Sequence, residues 1–180
     1  MSKSLGTGID PLGLVEKYGA DATRFGIGYQ ITEGQDLKFI EDNIIMGRKF
    51  CNKIWNASRF VLMQIGQNLI PDKKPKAKTE ADKKILGALE KTTKSTNKSL
   101  ESFDFGKVAH TLYDFFWHDF CDEYIERAKN QPDDNTKQIL LYTLATSLKL
   151  LHPIIPFVTE EIYQKLPGTK KPLIIEEWPK

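Results

Sequence analysis

The sequence predicts an all-α fold: an antiparallel helical bundle preceded by a small helical module. Apolar residues recur at intervals of three and four along four long segments, which is the spacing of one helix face. The connections between these segments are short, and short connections favour antiparallel neighbours in a bundle. Proline, glycine and capping residues stand where the periodic segments begin and end. We expect the module to occupy residues 1–40 and the bundle residues 41–180.

Two short helices are predicted in the module. Asp10 followed by Pro11 is a start signal, because aspartate caps a first helical turn and proline fits the first helical position. This helix should end before Gly19, a residue type common just after a helix. A second helix should run over about residues 20–29, with Asp21 near its positive end. Residues 32–36 should form a loop.

Four long helices should build the bundle. They are expected at about residues 41–66, 80–102, 105–129 and 136–151. The apolar stripe of the first long helix consists of Ile44, Gly47, Cys51, Ile54, Trp55, Ser58, Val61, Leu62 and Ile65. Thr79 and Asp82 form a capping pair for the second. The fourth is apolar on almost every side, which favours a central position. A last helix should run from Pro156 to about Leu166, followed by an extended tail that packs on the bundle through Trp178.

Composition fits a single helical domain and excludes several classes of protein. The chain has 26 basic and 24 acidic residues, so any contact with nucleic acid must come from local clustering of charge. Cys51 and Cys121 fit neither a zinc-binding spacing nor a disulfide framework, and we expect reduced core residues of a cytoplasmic protein. No run approaches the roughly 18 apolar residues that a membrane span needs, so we expect no membrane partner.

The N-terminal segment MSKSLGTGIDP, residues 1–11, is suited to contact a polyphosphate. Lys3 supplies a mobile positive charge, Ser2 and Ser4 supply hydroxyl groups, and the glycines permit unusual backbone conformations. The segment resembles the second signature loop of class I aminoacyl-tRNA synthetases, usually written KMSKS. The first lysine of that motif would precede Met1, and Thr7 stands where asparagine is usual in the family.

Further segments follow the order of the same family at about its spacing. They are EKYGADATRF at residues 16–25, EGQDLKF at 33–39, RKFCNKIWNASRFVL at 48–62, FCDEYIE at 120–126 and LHPIIPFVTEEI at 151–162. The resemblance covers nearly the whole chain. It is closest to the valyl-tRNA synthetases, because the GQD segment and the NKIWNASRFVL helix are similar to theirs.

The resemblance implies a parent enzyme that activates valine with ATP and Mg²⁺ and attaches it to tRNA(Val). In that enzyme Lys3 would contact ATP and the departing pyrophosphate, with Ser2 and Ser4 beside it. The catalytic domain is expected to belong to the same polypeptide upstream of this loop. We therefore expect the fragment to bind tRNA as a monomer without catalysis and without a cofactor of its own. These 180 residues show no sustained heptads, so we do not expect them to include the C-terminal coiled coil that is common in bacterial valyl enzymes.

An anticodon loop is single-stranded, and its bases are recognised by stacking and by hydrogen bonds to their edges. The first long helix offers suitable groups, and the resemblance implies that its end helps to form the anticodon pocket. The candidate tRNA-binding residues are Asn52, Lys53, Asn56, Arg59 and Phe60. An ordinary alternative remains open, in which Phe60 is a core residue and Arg59 a surface ion. A row of Lys91, Lys94 and Lys98 on the second long helix could contact phosphates or be only a solvated face.

Other interpretations of the chain are possible. Asp114, His118 and Asp122 share one face of the third long helix and could chelate a divalent metal. Pairing on a solvated face explains them more simply, and we predict no metal site. His110 and His152 are expected to be hydrogen-bonded structural residues. Functionally, the alternatives are the same domain of an isoleucyl-tRNA synthetase, or a non-catalytic helical scaffold that binds a protein through an exposed apolar groove.

Overall fold

The structure, a computed structural model, describes residues 9–31, 39–66, 70–71, 73–130 and 133–180, and contains no β-strand in these ranges. The all-α prediction is therefore confirmed. The helices are α1 (Pro11–Tyr18), α2 (Ala20–Gln30), α3 (Glu41–Ile65), α4 (Glu80–Glu101), α5 (Phe105–Asp114), α6 (Glu126–Ala128), α7 (Asp134–Leu151) and α8 (Pro156–Tyr163). A π-helical segment (Phe115–Ile125) joins α5 to α6 without a break. The loop predicted at residues 32–36 lies outside the described residues.

One apolar core fills the bundle between α3, α4, α7 and the continuous helix formed by α5, the π-helical segment and α6. Helix α7 lies at its centre, as its apolar pattern predicts, and Ile139, Leu141 and Leu144 are fully buried. The predicted stripe of α3 is incomplete, since Phe50 and Ala57 are also buried. These two residues extend the apolar face of α3 toward α2 and the bundle core.

Two glycines let α2 and α3 approach each other closely. A Cβ atom on Gly26 would lie 2.6 Å from the carbonyl oxygen of Asn43, and one on Gly47 would lie 2.6 Å from that of Ala22. Real Cβ atoms are not found at such distances from backbone oxygens, so both positions require glycine. The contact fixes α2 against α3, the first helix of the bundle.

The segments YGADATRF and LHPIIPF meet in space. Buried Asp21 accepts hydrogen bonds from the backbone N–H groups of Phe157 (3.2 Å) and Val158 (2.6 Å), at the start of α8. Arg24 donates to the carbonyl oxygens of Pro153 and Ile154, both at 2.9 Å. Asp21 does lie in the first turn of α2, as predicted, but its carboxylate caps α8, whose first N–H groups have no partner within the helix.

The predicted capping pair at the start of α4 is present and belongs to a larger network. The Thr79 side chain accepts from the Asp82 N–H, and the Asp82 carboxylate accepts from the Thr79 N–H. The same buried carboxylate accepts a 2.8 Å hydrogen bond from the Tyr124 hydroxyl. The cap of α4 is thereby tied to the π-helical segment at one end of the bundle.

The third long helix differs from its prediction between Phe115 and Ile125, where it is π-helical instead of α-helical. The buried residues of this segment come in pairs that recur every four to five positions: Phe115 and Phe116, Phe120 and Cys121, Tyr124 and Ile125. This spacing suits i→i+5 hydrogen bonding better than i→i+4. The wider helix turns all three pairs toward the core.

The tail after α8 packs on the bundle, as predicted. The prediction of a wholly extended tail is wrong. Leu173–Ile175 forms one 3₁₀ turn with Leu173 buried. Trp178 donates from its indole nitrogen to the side-chain oxygen of Asn97 (2.7 Å), and the Asn97 amide donates to the carbonyl oxygen of Pro179 (3.1 Å). Within the described ranges, every helix is too short or too polar to cross a membrane.

Candidate nucleic-acid interface

The candidate tRNA-binding residues of α3 lie on two adjacent rows of its outer surface. Asn52, Asn56 and Arg59 are spaced i, i+4 and i+7, which places them in one row, and all three are exposed. Lys53 and Phe60 are seven residues apart and form the neighbouring row, which faces the π-helical segment. The two rows differ in how free their side chains are.

Lys53 is held by the neighbouring helix. Its Nζ lies 2.9 Å from a carboxylate oxygen of Asp122 and 5.0 Å from the centre of the Trp117 ring. Partial burial opposes its charge, but the hydrogen bond to Asp122 and other nearby acids outweigh burial and raise the pKa of Lys53. The ammonium group therefore stays charged, and its ion pair connects α3 to the π-helical segment.

Phe60 has an intermediate position between core and surface. It is half-buried and packs against the apolar core. The Nζ of Lys129 lies 6.0 Å from its ring centre, and the same group pairs with Glu126 at 2.7 Å. Part of the ring is therefore accessible at the end of the bundle where α3 and α6 lie side by side.

Arg59 is exposed beside a shallow apolar depression formed by α3 and α8. Trp55, Leu62 and Ile162 line this depression. The Arg59 guanidinium has no ion-pair partner among the described residues, so it is available to a ligand. A planar guanidinium can stack on a base or donate to its edge.

The rival metal site does not form. His118 Nδ1 lies 3.3 Å from one oxygen of Asp122, but the other oxygen of Asp122 is bound to Lys53. Over the described parts of the chain, no three histidine, cysteine or acidic side chains are grouped as a metal ion requires. The ammonium group of Lys53 occupies the Asp122 carboxylate, so that group is already paired with a cation of the protein itself.

The remaining candidate side chains have structural roles. His110 Nε2 hydrogen-bonds to the carbonyl oxygen of Tyr29 (3.1 Å), and His152 Nδ1 to the Thr159 hydroxyl (2.8 Å). Cys51 and Cys121 are both free thiols, and burial raises the pKa of each to about 12. A thiol with so high a pKa stays protonated and unreactive at neutral pH.

Sequence reasoning missed a groove of about 370 Å³ between α4, α7 and the tail. Lysines line it together with two aromatic rings: Lys74, Lys94, Lys149, Tyr142 and Trp178. The apolar pattern of α7 concealed the outward position of Tyr142 and Lys149. Only Trp178, which we expected to pack on the bundle, pointed to this region.

The predicted ATP-contacting residues Lys3, Ser2 and Ser4 lie outside the described residues, so the structure gives no geometry for them. The tRNA-binding candidates of α3 are described, and they form a surface with basic and amide groups on the outside of the helical bundle.

Residues 82–180 match the family described as "Anticodon-binding domain of tRNA ligase". The match covers more than half of the chain, which therefore belongs to this family of tRNA-ligase domains. The solved structures agree on the fold. A LeuRS–tRNA–LeuAMS ternary complex from Agrobacterium radiobacter K84 superposes with a TM-score of 0.79 at 20% identity, over 99% of this chain and 22% of that one. Mycobacterium tuberculosis methionyl-tRNA synthetase with methionyl-adenylate gives 0.73 at 16% identity, over 98% and 41%.

Curated relatives narrow the similarity to one kind of ligase. Valine–tRNA ligase of Listeria monocytogenes is 45% identical over 188 aligned residues, which span 100% of this chain and 21% of the relative. Valine–tRNA ligase of Fervidobacterium nodosum is 43% identical over 99% of this chain and 21% of its own length. The resemblance to valyl-tRNA synthetases is thus confirmed. The chain spans about a fifth of the length of these curated relatives.

Proposed function

We propose that this chain is the tRNA-binding part of a valine–tRNA ligase and that it selects tRNA(Val) through the anticodon loop. The observation that carries the proposal is the identity of 43–45% to valine–tRNA ligases over essentially the whole chain. The whole enzyme would activate valine with ATP and Mg²⁺ in the cytoplasm and attach it to the tRNA.

Within that enzyme, Lys3 would neutralise the charge that develops on the departing pyrophosphate, and Ser2 and Ser4 would donate hydrogen bonds beside it. The 180-residue chain itself should bind tRNA as a monomer without charging it, because ATP and valine must be positioned together by a catalytic domain. Residues 1–40 would connect that domain to the anticodon-binding bundle at 41–180.

The surface that we assign to the anticodon loop is the outer face of α3. Asn52 and Asn56 carry amides that can both donate to and accept from base edges, and Arg59 adds a free guanidinium. The accessible part of the Phe60 ring lies beside this row. Lys53 supplies positive charge at the rim while its ion pair with Asp122 holds the surface in place.

The Arg59→Ala substitution tests this surface. Since Arg59 is exposed, its loss should leave the melting temperature almost unchanged. Affinity for tRNA(Val) should fall by about 1 kcal/mol or more, because a base contact and a positive charge are both removed. Lys170→Ala, which removes an exposed charge far along the chain, is the matched control. Equal losses in the two variants would show that Arg59 contributes only bulk charge.

Phe60 needs two variants, because its ring serves both packing and possible stacking. Phe60→Ala should destabilise the fold by about 1–3 kcal/mol, less than the 3–5 kcal/mol of a fully buried phenylalanine. Phe60→Leu keeps most of the packing but removes the flat ring. Reduced tRNA affinity with near-normal stability in Phe60→Leu would support stacking, whereas unchanged affinity would assign Phe60 to the core alone.

A further inference from the structure

Phe103, in the turn between α4 and α5, combines two unfavourable properties. Its side chain is 75% exposed, and its backbone φ of +59° lies in the left-handed region. The turn is a Schellman-type helix end, since the N–H of Asp104 donates to the carbonyl oxygen of Ser99 at 2.9 Å and Phe103 occupies the position where glycine is usual. Folding therefore gains little from this side chain and bears a cost for its backbone, so an explanation outside the fold is required.

A second aromatic ring accompanies Phe103. Phe105 is 44% exposed, and the two ring centres are 6.2 Å apart in an edge-to-face arrangement. The residues that flank the two rings in the sequence are polar and mostly exposed: Glu101, Ser102, Asp104 and Lys107. Ile31, whose backbone lies against Gly106, adds an exposed apolar side chain near them. Two exposed rings with polar residues on either side present a flat face on which a nucleic-acid base can stack.

A row of lysines leads to this aromatic pair. Lys91 and Lys98 are seven residues apart on the exposed face of α4, with Lys94 beside them. Lys94 pairs with Glu90 at 2.8 Å, but the side chains of Lys91 and Lys98 have no ion-pair partner within the described ranges. At 1.5 Å per residue, the row from Lys91 to Phe103 spans about 18 Å.

We propose that the outer face of α4 is a second RNA-contact surface, on which Lys91 and Lys98 contact phosphates and Phe103, supported by Phe105, stacks on an unpaired base. Aromatic rings beside a track of positive charge are how proteins hold single-stranded nucleotides. The proposal rests on the tRNA-binding function and extends it to a part of the tRNA outside the anticodon loop.

The position of Phe103 excludes the anticodon loop as its ligand if that loop lies on α3. Phe60 lies beside Lys129, and the start of α4 is bound to Tyr124, so both belong to the same end of the bundle. Phe103 follows the other end of α4, a helix of 22 residues that is about 33 Å long. One tRNA would therefore contact the two surfaces with different parts of its structure.

The test measures binding of two RNAs to the 180-residue chain: a whole tRNA with a valine anticodon, and the anticodon stem-loop cut from it. Phe103→Ala and Phe103→Gly should each weaken binding of the whole tRNA at least about fivefold, because the stacking ring is lost. Binding of the stem-loop should not change in either variant. Phe103→Tyr, which keeps a ring, should bind like the original chain, and Ile174→Ala, at an equally exposed apolar residue (75%), is the control.

Two further readouts separate this role from a structural one. Phe103→Gly should raise the melting temperature by about 1–4 °C because glycine relieves the backbone strain, whereas Phe103→Ala should not. The double variant of Lys91→Ala and Lys98→Ala should reduce the slope of log affinity against log salt for whole tRNA by roughly 1.4–1.8.

The outcomes distinguish this proposal from the function on which it rests. If the original chain binds whole tRNA and both Phe103 variants bind it equally well, the second surface is overturned and the proposed function stands. Equal weakening for whole tRNA and stem-loop would also overturn it, since Phe103 would then act at the anticodon. A chain that binds neither RNA would contradict both proposals.

Discussion

Single side chains connect segments that are distant in the sequence. The Asp21 carboxylate caps α8 and Arg24 binds the turn before it, so two residues of α2 hold the junction between α7 and α8. His152 in the same junction contacts the hydroxyl of Thr159. The arrangement at this end of the bundle therefore depends on a few polar contacts in a largely apolar environment.

His152 should make the stability of the protein depend on pH. Burial lowers the pKa of His152 from its usual value near 6.5, and the opposing influence of Glu160 and Asp21 is smaller. The unfolded chain binds the proton more readily, so this contribution to stability is present above about pH 6.5 and is lost as the pH falls below it. Melting temperatures at pH 7 and pH 5 should differ more in the original chain than in His152→Gln. Equal differences in both proteins would contradict this assignment.

The polar contacts at the residue scale were only partly predictable from the sequence. Local capping by Asp10 and Thr79 follows from short sequence patterns, and both caps are present. The capping of α8 by Asp21 joins residues more than a hundred positions apart, and no local pattern indicates such a pair. The same reason explains why the sequence could not show that Lys53 is engaged by Asp122.

At the scale of helices, α2 and α3 pack with their backbones in close contact. Both glycines at the contact, Gly26 and Gly47, face a backbone oxygen of the other helix. Backbones cannot move aside as flexible side chains can, so an added methyl group must separate the helices.

Gly47→Ala and Gly87→Ala form a matched pair of tests, since both glycines lie inside long helices. A Cβ atom at Gly47 would meet the Ala22 carbonyl oxygen, whereas one at Gly87 would meet nothing within 4 Å. Gly47→Ala should destabilise the protein by about 1–3 kcal/mol through overpacking. Gly87→Ala should instead stabilise it by up to about 1 kcal/mol, because alanine favours helix. Denaturant unfolding of both variants measures the difference, and similar changes would show that the helices can separate without cost.

Helix positions were largely predictable because apolar periodicity records which face is buried. The predicted limits of α1, α3 and α4 agree with the structure to within a residue. The π-helical segment was not predicted, since its pairs of buried residues also fit an α-helical interpretation when only Phe116 and Phe120 are counted. The 3₁₀ turn at Leu173–Ile175 was missed because three apolar residues in a row favour no single conformation.

At the scale of the whole molecule, charge is nearly balanced, with a net charge of +2. Long-range attraction to RNA is therefore weak, and binding must depend on local groups such as the exposed row on α3. Affinity should accordingly be modest and should fall as salt concentration rises, because phosphate contacts release counterions.

The fold and the membership in the family of anticodon-binding domains were predictable from this one sequence, since its motifs follow the family's order. The residues that we propose to contact RNA were less predictable. Helical spacing placed Asn52, Asn56 and Arg59 on a common surface, but burial of part of Phe60 depends on α6 and Lys129, which lie far along the chain.

The most direct test of the central claim compares two tRNAs that differ only in the anticodon. One carries a valine anticodon, whose second and third letters are A and C, and in the other these two letters are replaced. Binding of the 180-residue chain to each is measured at the same salt concentration. We predict tighter binding to the tRNA with the valine anticodon, and loss of this preference in Arg59→Ala. Equal binding to both tRNAs by the original chain would contradict the claim that this domain recognises the anticodon of tRNA(Val).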